Sequence, residues 1–172
     1  YTLAVATGFD RTGYNNPAVF IINGGSLTLG NAAGARLIID GNGTVSNGIS
    51  LISVISGSYT QNAMVTLRNC NTTANGGAIF LNNAGASATI RGGIIENTIG
   101  AGGAIYVGNG ASLTMTGGEL RNNTDRDGNS YGIYLSNSQS VLTLNGAVSL
   151  SDDIYTEAVI TVDSAFENAL SD

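Results

Sequence analysis

Few side chains in this sequence can do acid–base or nucleophilic chemistry. There is no histidine and no lysine, all six basic residues are arginine, and the single cysteine, Cys70, has no partner for a disulfide. The usual pairings of nucleophile with base are therefore absent. Carboxylates remain. Asp152 and Asp153 are adjacent, and Glu96 and Glu119 would come together if their strands lie side by side. Two carboxylates held across a cleft can hydrolyse a glycosidic bond, but the segments linking the strands here are too short to build cleft walls, so the sequence reads as a non-enzyme. The loop DRDGNS, Asp125–Ser130, sets Asp125, Asp127 and Asn129 at alternating positions. Oxygen ligands so spaced can wrap a calcium ion. Gly128 comes too early for an EF-hand and no glutamate closes the loop, so a solvated turn is the competing reading, and no cofactor is required.

These residues must be positioned by something, and the sequence says what. GGAIFL at Gly76–Leu81 returns as GGAIYV at Gly102–Val107 and as YGIYL at Tyr131–Leu135. Each opening is followed by a second run, SATIRGG at Ser87–Gly93, SLTMTGG at Ser112–Gly118 and VLTLNG at Val141–Gly146, and then by a third ending in asparagine or aspartate. The third-run anchors Ile39, Leu67, Ile95, Leu120 and Leu150 are 28, 28, 25 and 30 residues apart. A period of that size means stacked units, and three strand-like runs per unit with almost no helix signal mean one coil of a parallel β-helix. The expectation is an all-β chain of about six coils of 25–30 residues, with three short strands in each. Coil 1 holds VFII (Val19–Ile22), SLTL (Ser26–Leu29) and LIID (Leu37–Asp40). Coil 2 begins with LISVIS (Leu51–Ser56) and ends with MVTLRN (Met64–Asn69), with no identifiable middle strand. Residues 1–16 read as an N-terminal cap, 17–163 as coils and 164–172 as a C-terminal cap, where Ser164 and Glu167 have capping-box spacing for one helical turn.

Stacking turns each repeat position into a column, and alternation sends successive side chains to opposite faces. On the first strand the consistently aliphatic set, Ile79/Leu81, Ile105/Val107 and Ile133/Leu135, is the better core, which sends Phe80, Tyr106 and Tyr134 outward with Tyr155 above them. That column is either a platform for sugar rings or an aromatic ladder that simply stabilises neighbouring strands; reversed parity would instead make the rings core. On the second strand Thr28, Thr89, Thr114, Thr143 and Thr161 form an outward column. Such arrays resemble ice-binding faces, which want two matched columns, and the next outward position, Arg91, Thr116, Asn145 and Asp163, does not match. Asn69, Asn97, Asn122 and Asp152 stack at the third corner, where amides can bond up the ladder and satisfy the turn.

The composition limits the partners. Only 10% of residues are charged while 42% are hydrophobic, which excludes an intrinsically disordered chain. A net charge of −6 with no basic stripe argues against nucleic acid and anionic membrane. No apolar run approaches the ~20 residues of a spanning helix, which argues against membrane insertion. A surface rich in Asn, Thr, Ser and Gly suits an exported protein.

GGAIF at Gly76–Phe80, GGAIY at Gly102–Tyr106 and LRNNT at Leu120–Thr124 resemble the repeats of bacterial and archaeal adhesin-like β-helix proteins, and are similar to the GGAI and FxxN repeats of polymorphic outer-membrane autotransporters. Leu67, Ile95 and Leu120 stand where the autotransporter pattern has Phe. The resemblance spans roughly Leu37 to Asp163 and implies an extracellular, surface-displayed, right-handed parallel β-helix used for adhesion or as a stalk. Its partners would be a cell-surface or glycan ligand, or other copies joined end to end. Pectate lyases share the fold, but their catalytic aspartates and basic residues have no matching motif here.

Overall fold

Short apolar–polar alternation interrupted by glycine builds strands that turn corners. The computed structural model describes residues 1–4, 18–30, 34–43, 45–46, 48 and 50–168. In chain order the strands are β1 (Thr2–Ala4), β2 (Ala18–Leu29), β3 (Leu37–Asp40), β4 (Val45–Ser46), β5 (Ser50–Gln61), β6 (Val65–Arg68), β7 (Asn71–Thr72) and β8 (Ile79–Leu81). They continue as β9 (Ala86–Glu96), β10 (Ile105–Val107), β11 (Ser112–Arg121), β12 (Tyr131–Leu135), β13 (Val141–Leu150), β14 (Asp153–Thr156), β15 (Ile160–Val162) and β16 (Glu167–Asn168). Among the described residues there is no helix, and so none long and apolar enough to cross a membrane.

Every pairing is parallel and joins one coil to the next, so the chain is the β-solenoid that its repeats predict. The first face stacks the N-terminal halves of β2 and β5, then β8, β10, β12 and β14. The second stacks the C-terminal halves of β2 and β5, the N-terminal halves of β9, β11 and β13, and β15. The third runs β1, β3, β6, the C-terminal halves of β9, β11 and β13, and β16.

Three details differ from the expectation. Four turns, beginning at β5, β8, β10 and β12, are paired on both sides along all three faces, rather than six; the turns of β2 and of β14–β15 are open on one side. Strands also run round corners instead of stopping at them. Gly57 shows why: its φ of 92° is left-handed, and a Cβ there would overlap the carbonyl oxygen of Gly25 in the coil below. Only glycine takes that conformation without cost. β5 therefore bends from first face to second within one strand, and this contains the missing middle strand of coil 2, Gly57–Gln61. At the termini, Thr2–Ala4 pairs with β3 as a third-face strand, and most of the expected N-terminal cap lies outside the described residues. Ser164 and Ala165 form a turn and Glu167–Asn168 an added strand in place of the expected helical turn; 169–172 lie outside the described residues.

The core is a set of continuous columns. Ile52, Ile79, Ile105 and Ile133 pair in register and are wholly buried, as are Leu81, Val107 and Leu135 beside them. Leu113 and Leu142 fill the second face, and Ile39, Leu67, Ile95 and Leu120 the third. Each large side chain contributes about 1.5–3 kcal/mol by burial.

Just outside the third face, Asp40, Arg68, Glu96 and Arg121 stack in register with alternating sign. Arg68 meets Asp40 at 2.7 Å, and Arg121 meets Glu96 at 2.7 Å and Glu119 at 2.9 Å. Burial pushes the Asp40 carboxyl up, but the Asn42 amide, Arg68 and Asn69 outweigh it and hold it below its ordinary value. Because the arginines are over a third exposed, Glu96→Gln is expected to cost no more than about 1 kcal/mol. That loss should vanish in urea melts run at high salt, where exposed pairs are screened.

Candidate functional site

Burial of Ile79, Leu81, Ile105, Val107, Ile133 and Leu135 leaves the intervening positions facing solvent. Phe80, Tyr106, Tyr134 and Tyr155 occupy them in register, as the repeat predicts. Their rings stack, with centroids 5.5, 5.8 and 4.5 Å apart and interplanar angles of 27°, 10° and 9°. Tyr131 closes on the same cluster, 6.3 Å from Tyr134 and 5.6 Å from Tyr155. Such contacts add about 0.5–1.5 kcal/mol per pair. Parallel stacking also means that the rings cover much of one another's faces, so the column displays edges and phenolic oxygens more than open rings. Burial first, and then Tyr155 and Glu157 nearby, push the Tyr134 hydroxyl above its ordinary pKa. Below Phe80 the column continues as Ser53 and Ile21, so it is aromatic only over the last four rungs.

Glycine shapes the ground around the rings. A Cβ on Gly102 would lie 3.1 Å from both Tyr106 Cδ2 and Tyr134 Cγ, and one on Gly108 would lie 2.7 Å from Tyr106 Cε1. Without a side chain at Gly102, the flank of both tyrosines opens onto a depression of about 210 Å³, lined by Asn75, Ala101, Gly102, Tyr106, Tyr134 and Ser136. This depression, whose lining combines two tyrosines with an asparagine and a serine, is the concave part of the column. The sequence marks the rings but not the hollow.

The loop of Asp125, Asp127 and Asn129 is folded as a hydrogen-bonded turn. Asp125 Oδ1 accepts the amides of Asp127 (2.9 Å) and Asn129 (2.8 Å), and Oδ2 accepts Asn129 Nδ2 at 2.6 Å. Burial raises the Asp125 pKa, but these bonds outweigh it and hold the carboxyl below its usual range. Asn129 thus turns a donor toward Asp125, and among the described residues no three acidic, histidine or cysteine side chains gather as a metal site. Asp125 serves as the knot of a tight turn.

The carboxylate pairs meet different fates. Glu96 and Glu119 do come together, with Arg121 between them. Asp152 is buried and Asp153 exposed, on opposite sides of the chain. Cys70 is buried, and burial pushes its thiol up to about 12, which removes it as a nucleophile at neutral pH.

The asparagine corner is corrected by one residue. Asn69, Asn97 and Asn122 have φ of 55°, 53° and 56°, a left-handed bend that asparagine tolerates better than most residues; of these, Asn69 turns its amide to Asp40. That bond joins neighbouring coils, as expected of the corner, but the most extensive set of such bonds is made by Asn123, which is wholly buried. Its Oδ1 accepts Thr98 N (3.1 Å) and Thr98 Oγ1 (2.9 Å), and its Nδ2 donates to Ile95 O (3.0 Å) and Asp152 Oδ2 (2.6 Å). Asp152 also accepts the Asn123 amide, and burial keeps its pKa raised despite these bonds. The alternating charges one residue after the third-face anchors Ile39, Leu67, Ile95 and Leu120 could also have been found by continuing the columns one position.

Comparison with family models, curated proteins and solved structures gave no match, so the chemistry of its own surface carries the functional argument.

Proposed function

We propose that the chain is a non-catalytic binding module of an extracellular, cell-surface protein, contacting glycan through Tyr106 and Tyr134. The observation that carries this reading is the hollow beside Gly102, lined by Tyr106 and Tyr134 together with Asn75 and Ser136. Sugars offer C–H patches to aromatic carbon and hydroxyls to amide and hydroxyl groups. Phe80 and Tyr155 brace the two rings from below and above. The likeness of the GGAI segments to adhesin-like repeats supports the same reading.

On a glycan array, the wild-type chain is expected to retain a defined subset of sugars, and Tyr106→Ala with Tyr134→Ala to lose them. An anchoring ring contributes about 2 kcal/mol, so each loss is roughly 30-fold. Both positions point outward, so circular dichroism should be unchanged. Retention of the same sugars by the folded double variant would remove this face from the account.

A stalk or end-to-end filament unit is the second reading. It rests on the last described turn, where Ile154 and Ile160 are only partly buried although their stacked partners Ile133 and Leu142 are wholly so. Growth of long particles with concentration in light scattering would favour it; a monomer at every concentration would count against it.

A further inference from the structure

The second face carries an array that the aromatic column does not use. With coil 2 in register, the threonine column has no gap: Thr28, Thr60, Thr89, Thr114, Thr143 and Thr161 pair rung to rung. A matched second column also exists, two residues before the first rather than two after it. Ser26, Ser58, Ser87 and Ser112 pair in register, followed by Val141. No register shift interrupts the pairing between these columns, because the bulges fall at the corner glycines beyond them. Side chains between the columns, among them Leu113 and Leu142, point into the core and are wholly buried. The outward side is thus a regular lattice on a rigid backing.

Its spacing and chemistry restrict what can sit on it. Rungs lie about 4.7–4.9 Å apart, near the shortest oxygen repeat on the surfaces of hexagonal ice, and alternate residues on a parallel strand lie about 6.6 Å apart, somewhat shorter than the next repeat. Among the described residues none of the six threonine hydroxyls is engaged in a hydrogen bond, and of the four serines only Ser87 bonds, to the Gly57 carbonyl at 3.2 Å. The two columns hold no charge, amide or ring, the groups that would select a protein, nucleic acid or sugar. They hold hydroxyls, which donate and accept as water does, and methyls. A single exposed hydroxyl gains little by exchanging one water for another. Held at fixed spacing in two directions, many hydroxyls can keep a water layer in place with no further ordering of the protein. The partner must then be neutral and periodic in both directions.

We propose that this Ser/Thr face binds the surface of ice. Its threonine column has six rungs, about 24 Å from first to last, and the paired hydroxyl columns run together for four, about 14 Å at that rung spacing; the face is independent of the glycan reading of the first face.

The test is ice growth in the presence of the purified chain, read by crystal shape and by the gap between melting and freezing points. The wild-type chain is expected to facet ice and open a gap, and Thr89→Tyr with Thr114→Tyr to close it to the buffer value. Tyr106→Ala should leave it unchanged. Circular dichroism checks folding, and Thr60→Lys provides a second block of the lattice if the tyrosine pair does not fold. Round crystals and no gap for the wild-type chain up to its solubility limit would overturn the proposal. So would a gap that survives folded blocking variants. Binding to crystalline cellulose that those variants abolish, with ice growth unaffected by the wild-type chain, would overturn it in favour of a polysaccharide lattice.

Discussion

Gly57→Ala is expected to cost about 2–5 kcal/mol, combining a left-handed alanine at about 1–2 kcal/mol with a displaced or unpaired backbone group at about 1–3 kcal/mol. The added Cβ would overlap the Gly25 carbonyl, so relief requires moving coil 2 away from the coil below. Gly57 also donates its amide to Gly85 O at 2.8 Å, so that movement disturbs the coil above as well. Against a total stability of about 5–15 kcal/mol, the variant should melt far earlier in urea, the first two coils being most affected. A loss below about 1 kcal/mol would show that the corner can open without disturbing its neighbours.

Asn123→Ala is expected to be nearly as damaging, at about 3–4 kcal/mol, because each buried group left unpaired costs about 1–3 kcal/mol. Truncation strips partners from Thr98 N, Thr98 Oγ1 and Ile95 O, and removes one donor from Asp152. It also gives the effect a pH signature. Burial already raises the Asp152 pKa, and losing the Asn123 donor raises it further. A carboxyl whose folded pKa is raised favours the fold below its unfolded value, and that contribution is lost as pH rises through the folded value. The stability gap between wild type and Asn123→Ala should therefore narrow as pH falls from neutral toward the carboxyl range. Melts at a series of pH values measure this; a gap that widens on acidification would mean that Asp152 is not held by Asn123.

How far the sequence could be read follows from what each column is made of. Coils 3 to 5 repeat Ile and Leu at the same inward positions, so period and parity were both visible, and the outward setting of Phe80, Tyr106 and Tyr134 followed. Coil 2 hid its middle strand because its inward residues there are Tyr59 and Gln61, both wholly buried and joined by a 3.1 Å hydrogen bond, with Gln61 passing on to Gly92 O at 3.0 Å. A polar pair buried in the wall breaks the apolar signal on which periodicity depends. With that strand hidden, Thr60 and Ser58 drop out of their columns, and the second hydroxyl column lies two residues before the threonines, not at the position after them that fails to match. The asparagine corner was legible by type but not by direction. A left-handed residue reverses the in–out alternation, so Asn122 faces out and Asn123 in. The hollow at Gly102 was invisible because it is made by a missing side chain.

With no tryptophan in the chain, and with four of its seven tyrosines, Tyr106, Tyr131, Tyr134 and Tyr155, in the aromatic cluster, tyrosine emission responds to contacts made there. The most telling single measurement is a titration of the chain with a panel of soluble neutral oligosaccharides, following that emission in wild type and in the folded Tyr106→Ala/Tyr134→Ala variant. A saturable change with at least one member, absent from the variant, is the predicted result. No saturable change with any member, or the same binding curve in both proteins by calorimetry, would contradict the glycan-contact account.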